Sequence, residues 1–98
     1  MAQFQVFRLA SGVLVVDCQS DDLADLPSRF VLPLLDPDQV PDPIKALHPV
    51  ILIDGREMLL AAHAGAAISR NHLGKPLQSL ESHRYAILSA LDFLITGV

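Results

Sequence analysis

Tryptophan is absent from these 98 residues, cysteine occurs once, and one Tyr and four Phe are the only aromatic residues. A single cysteine excludes an internal disulfide and any multi-cysteine metal site. So few rings leave little for stacking bases. Seven Lys and Arg against eleven Asp and Glu give a net charge of −4, which argues against a primary nucleic-acid binder. Five glycines are too sparse for a phosphate cradle, and no G-x-S-x-G elbow, P-loop or dinucleotide fingerprint occurs. Long apolar runs are missing as well. Residues 58–68 are interrupted by His63 and residues 87–98 by Asp92, both far short of the roughly 18–20 apolar residues a membrane span needs. The opening Met1-Ala2-Gln3-Phe4 lacks the basic and long apolar segments of a signal peptide. The expectation is a soluble cytoplasmic protein with no membrane, cofactor or metal.

What is present is apolar side chain in excess. The hydrophobic fraction is 51% and the mean hydropathy +0.40, so the chain collapses, and 98 residues form one domain, 1–98. Leu88, Leu91, Phe93, Leu94, Ile95 and Val98 crowd the last third and point nearly all round a helix axis. Either that helix lies deep in the core, or an oligomer hides the remainder across an interface; the second is favoured.

Along the chain, residues 4–9 and 13–19 are rich in aromatic and β-branched types and are joined by Ala10-Ser11-Gly12, which predicts a hairpin. Residues 21–28 read as a loop and 29–34 as a third strand, which Pro33 assigns to an edge or a bulge. Residues 35–43 hold three prolines and three aspartates, excluding a long helix or central strand. A single helical turn is expected at 44–48. Residues 50–53, Asp54-Gly55 and 56–60 are the strongest hairpin signal in the chain. The stretch 61–74 is ambiguous, with Ile68 a possible strand start, and 76–80 reads as a connector. Ser82 is expected to cap a helix that runs to about Thr96 and stops at Gly97. Many short strands followed by one helix predict a mainly β, antiparallel domain with a C-terminal α-helix packed on it.

Candidate chemistry is thin. His48, His63, His72 and His83 give no helical i, i+4 zinc pair, and Cys18 suits a buried filler better than a nucleophile. Seven of the eleven acids (17, 21, 22, 25, 36, 38, 42) fall between Asp17 and Asp42, with Arg29 the only base among them. They are either solvated turn residues or a surface that receives a basic partner segment.

Four blocks then carry a resemblance. Val16-Asp17-Cys18-Gln19-Ser20-Asp21, Arg29-Phe30-Val31-Leu32-Pro33-Leu34, Pro49-Val50-Ile51-Leu52-Ile53 and Ala90-Leu91-Asp92-Phe93-Leu94-Ile95-Thr96-Gly97-Val98 occur in the order seen in CcdB toxins. The Gln-Phe-x-Val-Phe opening at residues 3–7, the length and the ending match too. The resemblance implies an SH3-like antiparallel β-barrel with a C-terminal helix, forming a homodimer. It implies a toxin of a type II toxin–antitoxin system that binds the A subunit of DNA gyrase, traps the cleaved gyrase–DNA complex and is neutralised by a CcdA-type antitoxin. No catalytic residue is implied. By position, the gyrase contacts would be Asp22 and Leu23 on a loop and Asp92, Ile95, Thr96, Gly97 and Val98 at the helix end. Thr96 stands where the best-known plasmid-borne members carry tryptophan and resembles instead the Thr-Gly ending of chromosomal members. Asp22 replaces a usually apolar residue.

Two other readings stay open. One is an mRNA endonuclease toxin of the MazF type, which shares the barrel and would draw on Arg29 and Ser28. The other is a homologue that dimerises and binds antitoxin without poisoning gyrase.

Overall fold

A computed structural model describes residues 1–97. Among them, seven strands build one curved antiparallel sheet of SH3-like form, and one α-helix follows. The strands are β1 (Gln5–Arg8), β2 (Leu14–Asp17), β3 (Ser28–Leu35), β4 (Val50–Ile53), β5 (Arg56–Leu60), β6 (Ala66–Ser69) and β7 (Gln78–Ser79), and the helix is α1 (Arg84–Thr96). The order across the sheet is β4-β5-β3-β2-β1-β7, with β6 also paired to β3.

Both expected hairpins form. In the first, Val6 faces Val16 and Phe7 faces Val15. Successive side chains point to opposite faces, yet all four are buried, Val6 and Val16 in the main core and Phe7 and Val15 in a second cluster with Val31 and Leu73. Apolar residues in adjacent positions therefore mark a sheet covered on both sides here. In the second hairpin Asp54 and Gly55 take φ of +51° and +79°, the two positive angles of a type I′ turn, whose twist matches that of the flanking strands.

Pro33, expected at an edge or a bulge, sits at neither: its pairing with β2 runs in unbroken register. Its strand is the longest and lies at the centre of the sheet, pairing β2 along one side. On the other side β6 pairs residues 28–31 and β5 pairs 34–35. Pro33 falls in the gap where β3 changes partner, its carbonyl accepting from the Ala61 N–H at 2.9 Å. A residue without an amide hydrogen fits that gap because no ladder bond is asked of it. Beside the gap, Gly65 brings its backbone so near β3 that a Cβ there would lie 2.5 Å from Phe30 Cζ and 2.8 Å from Leu32 Cδ2.

Residues 76–80 are more than a connector. Gln78 and Ser79 pair with Val6 and Gln5, and Leu80 N–H donates to the Phe4 carbonyl. Ser82 does not cap the helix: a 3-10 turn at Glu81–His83 precedes it, and His83 stands at the cap position with no side-chain bond to the backbone. Ser79 does the local work instead, its Oγ accepting from the Glu81 N–H at 3.2 Å. The helix ends as expected, with Gly97 left-handed at φ +77° and its N–H donating to the Phe93 carbonyl at 2.8 Å.

Phe4, Leu32, Ile51, Leu60, Leu80 and Ile87 lead the main core. Of the helix, only Ile87 and Ala90 are fully buried.

Candidate functional site

The helix end is built to present side chains, not to hide them. Ile95 is 80% exposed and Leu94 44%, and Asp92, Thr96 and Gly97 are exposed as well. Thr96 Oγ1 donates to the Asp92 carbonyl at 2.7 Å, so its hydroxyl is engaged within the last turn. Further back, Tyr85 is 86% exposed and Leu88 half-buried. At 100° per residue, Tyr85, Leu88, Asp92 and Ile95 fall on one side of the cylinder, turned away from the buried Ile87 and Ala90. Val98, the last of the helix-end residues expected to contact a partner, lies outside the described residues.

Asp22 and Leu23 belong to a 3-10 turn at Asp21–Leu23, capped by Ser20, whose Oγ accepts from the Asp22 N–H. Both side chains are exposed, Leu23 by 51%. The turn is anchored towards the opposite end of the helix. Asp21 Oδ1 accepts from the Gln3 N–H at 2.9 Å, and Gln3 Oε1 accepts from Arg84 Nη1 at 3.2 Å. Arg84 opens α1, about 18 Å along the axis from Thr96 at 1.5 Å per residue. The bonds of a single chain therefore fix the loop and the helix end as two separate patches.

The acidic stretch does not form one surface. Asp17 is fully buried, its Oδ2 accepting from Arg29 Nε at 2.8 Å and its Oδ1 accepting from the Gln19 N–H. Arg29 Nη2 lies 2.7 Å from the same Oδ2 but outside hydrogen-bond alignment. Arg29 is thus a structural cation, 1% exposed, and does not serve as the phosphate-binding group considered for an endonuclease. The remaining acids divide. Asp21, Asp22 and Asp25 precede β3, whereas Asp36, Asp38 and Asp42 follow it, at the other end of an eight-residue strand. Asp36 pairs with Arg56 on the wall of a polar cleft of about 410 Å³ that also receives Arg8, Gln39 and Asp54. Cys18 is the buried filler expected, and burial first, then the charge of Asp17, pushes its thiol up to about 12.

One constellation was missed from the sequence. His48 Nε2 lies 2.8 Å from His63 Nδ1, the rings edge to face at 4.8 Å, and His48 Nδ1 accepts from the Ile44 N–H at 2.9 Å. The signal was available. Pairing Val50 with Leu59 brings the residues just before β4 beside those just after β5, and His48 and His63 flank that hairpin. The same turn walls an apolar cleft of about 470 Å³ between Pro43, Lys45, His48, Pro49, Val50 and Leu59. No group of three or more His, Cys, Asp or Glu able to hold a metal ion occurs among the described residues, and no helix there is long and apolar enough to cross a membrane.

Comparison with known proteins gives a family and a fold. The family described as "CcdB protein" matches residues 3–97. A solved structure, "Endoribonuclease from Mycobacterial species", superposes with a TM-score of 0.78 at 13% identity, over 97% of this chain and 90% of that one. At that identity the likeness is one of fold. No curated protein matches.

Proposed function

This chain belongs to the CcdB family of toxin–antitoxin toxins, and on that premise we propose that it binds the A subunit of DNA gyrase and holds the enzyme on cleaved DNA, with no catalysis of its own. DNA cleavage is then gyrase's chemistry. The toxin shifts gyrase towards the cleaved state by binding that state better, since only a difference in affinity moves a population. The observation that carries the reading is the exposed end of α1, where Ile95 stands 80% free beside Leu94 on a helix closed by the Gly97 cap.

The same helix supports a homodimer. Tyr85 is 86% exposed and Leu88 half-buried, apolar surface that a two-fold axis would cover with a copy of itself, leaving Ile95 at the rim for gyrase. Pairing about such an axis would also let Asp22 and Leu23 of one protomer reach the same gyrase surface as the helix end of its partner. A CcdA-type antitoxin, basic and disordered, would meet the exposed acids on either side of β3.

The test is a gyrase cleavage-complex assay on a variant lacking residues 97–98, with folding checked by circular dichroism and assembly by light scattering. Trapping of cleaved DNA should disappear. Thr96→Ala should lose no more than about 1 kcal/mol of binding, because the hydroxyl already bonds within its own helix. A folded, dimeric truncation that still traps gyrase would refute the assignment. The fold shared with an endoribonuclease favours one second reading, RNA cleavage, and an RNA-cleavage assay of the intact protein separates the two.

A further inference from the structure

The two histidines bonded across the second hairpin have one permitted arrangement of protons. The Ile44 amide is a donor, so His48 Nδ1 must be unprotonated to accept from it. Neutral His48 then carries its proton on Nε2 and donates it to His63 Nδ1 at 2.8 Å, which leaves the proton of neutral His63 on its own Nε2. Adding a proton at either remaining lone pair sets two N–H groups face to face, His48 against Ile44 or His63 against His48. The same tautomer argument removes a metal from consideration. His48 Nε2 is a donor here, and releasing it for a metal would put a proton on Nδ1 against the Ile44 amide.

We propose that the His48–His63 hydrogen bond is an acid-released latch: it holds the 44–48 turn against the Ala62–Ala64 turn and so fixes one wall of the apolar cleft at Pro43, Pro49 and Val50. His48 is 6% exposed, and burial together with the neighbouring His63 ring holds its pKa below the ordinary 6.5. The charged groups around the pair are few. Lys45 shares the turn and lines the cleft, while β4 and β5 bring Val50 and Leu59 there. From β3 comes Arg29, already committed to Asp17. Helix α1 carries Arg84, which reaches Glu81, and Asp92. Asp42 precedes the cleft-lining Pro43, but no ion pair joins either ring to a carboxylate among the described residues.

The sign follows. A histidine whose folded pKa is depressed gives its full contribution above about pH 6.5, and that contribution is lost as the pH falls through the lower folded value. Acid therefore frees the turn and reshapes the cleft.

The measurement is made on the intact protein by NMR, reading ring nitrogen protonation and amide hydrogen exchange from pH 8 to pH 5. At pH 8 both rings should carry their proton on Nε2. On acidification the protection factor of the Ile44 amide should fall by about tenfold or more, while that of the Leu60 amide, bonded to the Pro49 carbonyl in the adjoining ladder, stays within about threefold. In His48→Phe the Ile44 amide should exchange freely at every pH. A proton on His48 Nδ1 at pH 8, or Ile44 protection that falls no further than Leu60 protection, overturns the proposal, and both readings come from the unmodified protein if the variant does not fold.

Discussion

Replacing Arg29 by methionine should be among the most damaging single changes in this chain. The guanidinium is 1% exposed and Asp17 0%, so the variant leaves a carboxylate inside the protein with the Gln19 amide as its one remaining side-chain bond. Breaking a buried pair from one side costs about 3–5 kcal/mol. A domain of this size has only about 5–10 kcal/mol to lose, and each kcal/mol shifts Tm by about 4–8 °C. The expected fall in Tm is therefore about 12–40 °C, read by circular dichroism, with a matching drop in the guanidinium midpoint. The double change Asp17→Leu with Arg29→Met removes both charges and should recover most of the loss. Two features point that way: the attraction is offset by desolvation of both ions, and Nη2 lacks an aligned acceptor. A single variant that lost less than about 1 kcal/mol would show the pair to be solvated in a way its burial contradicts. A double variant no better than the single would show that the pair sets the path of β2 and β3, beyond neutralising charge.

Gly65→Ala should destabilise by about 1–3 kcal/mol in urea unfolding, since its new methyl meets Phe30 and Leu32 inside van der Waals distance. Gly97→Ala meets nothing within 4 Å, so it should cost only the left-handed conformation, about 1–2 kcal/mol. Cys18 should resist iodoacetamide at pH 8 in the folded protein, because its thiol is buried and pushed up to about 12, and should react at once in denaturant. Tyr85→Lys should convert the proposed dimer to monomer or aggregate by light scattering, while a variant that remains dimeric at micromolar concentration would move the interface elsewhere.

How far the sequence speaks for itself depends on how local the determining physics is. The Asp54-Gly55 turn was legible because positive φ angles are a property of two residues, and the strands beside it follow from alternation. The C-terminal helix was legible for the same reason, except at its start, where Ser82 satisfies the capping pattern but the chain spends one more turn in 3-10 geometry. Pro33 was misplaced because its freedom from a ladder bond depends on two distant strands, β5 and β6, meeting β3 on either side of it. Asp17 was counted with the surface acids because only the fold reveals that Arg29, twelve residues away, closes on it. The histidine pair needed a further step, carrying a hairpin register two or three residues past its strands. Within the candidate site, the exposure of Ile95 and Leu94 could be expected from the surplus of apolar residues, whereas the separation of the 21–23 loop from the helix end could not.

The pairing of β1 with β7 sets a clock on biosynthesis. Gln5 finds Ser79 only after more than seventy further residues have been made, which at typical translation rates takes about 4–15 s. Until then the first strand can zip to β2 on one side while its other edge stays open, and Phe4 has no Leu80 to bond. A chain arrested before residue 78 cannot close that edge and offers it to any extended peptide nearby. A gene edited to terminate early would thus yield a sticky, unfinished sheet in place of a shortened toxin.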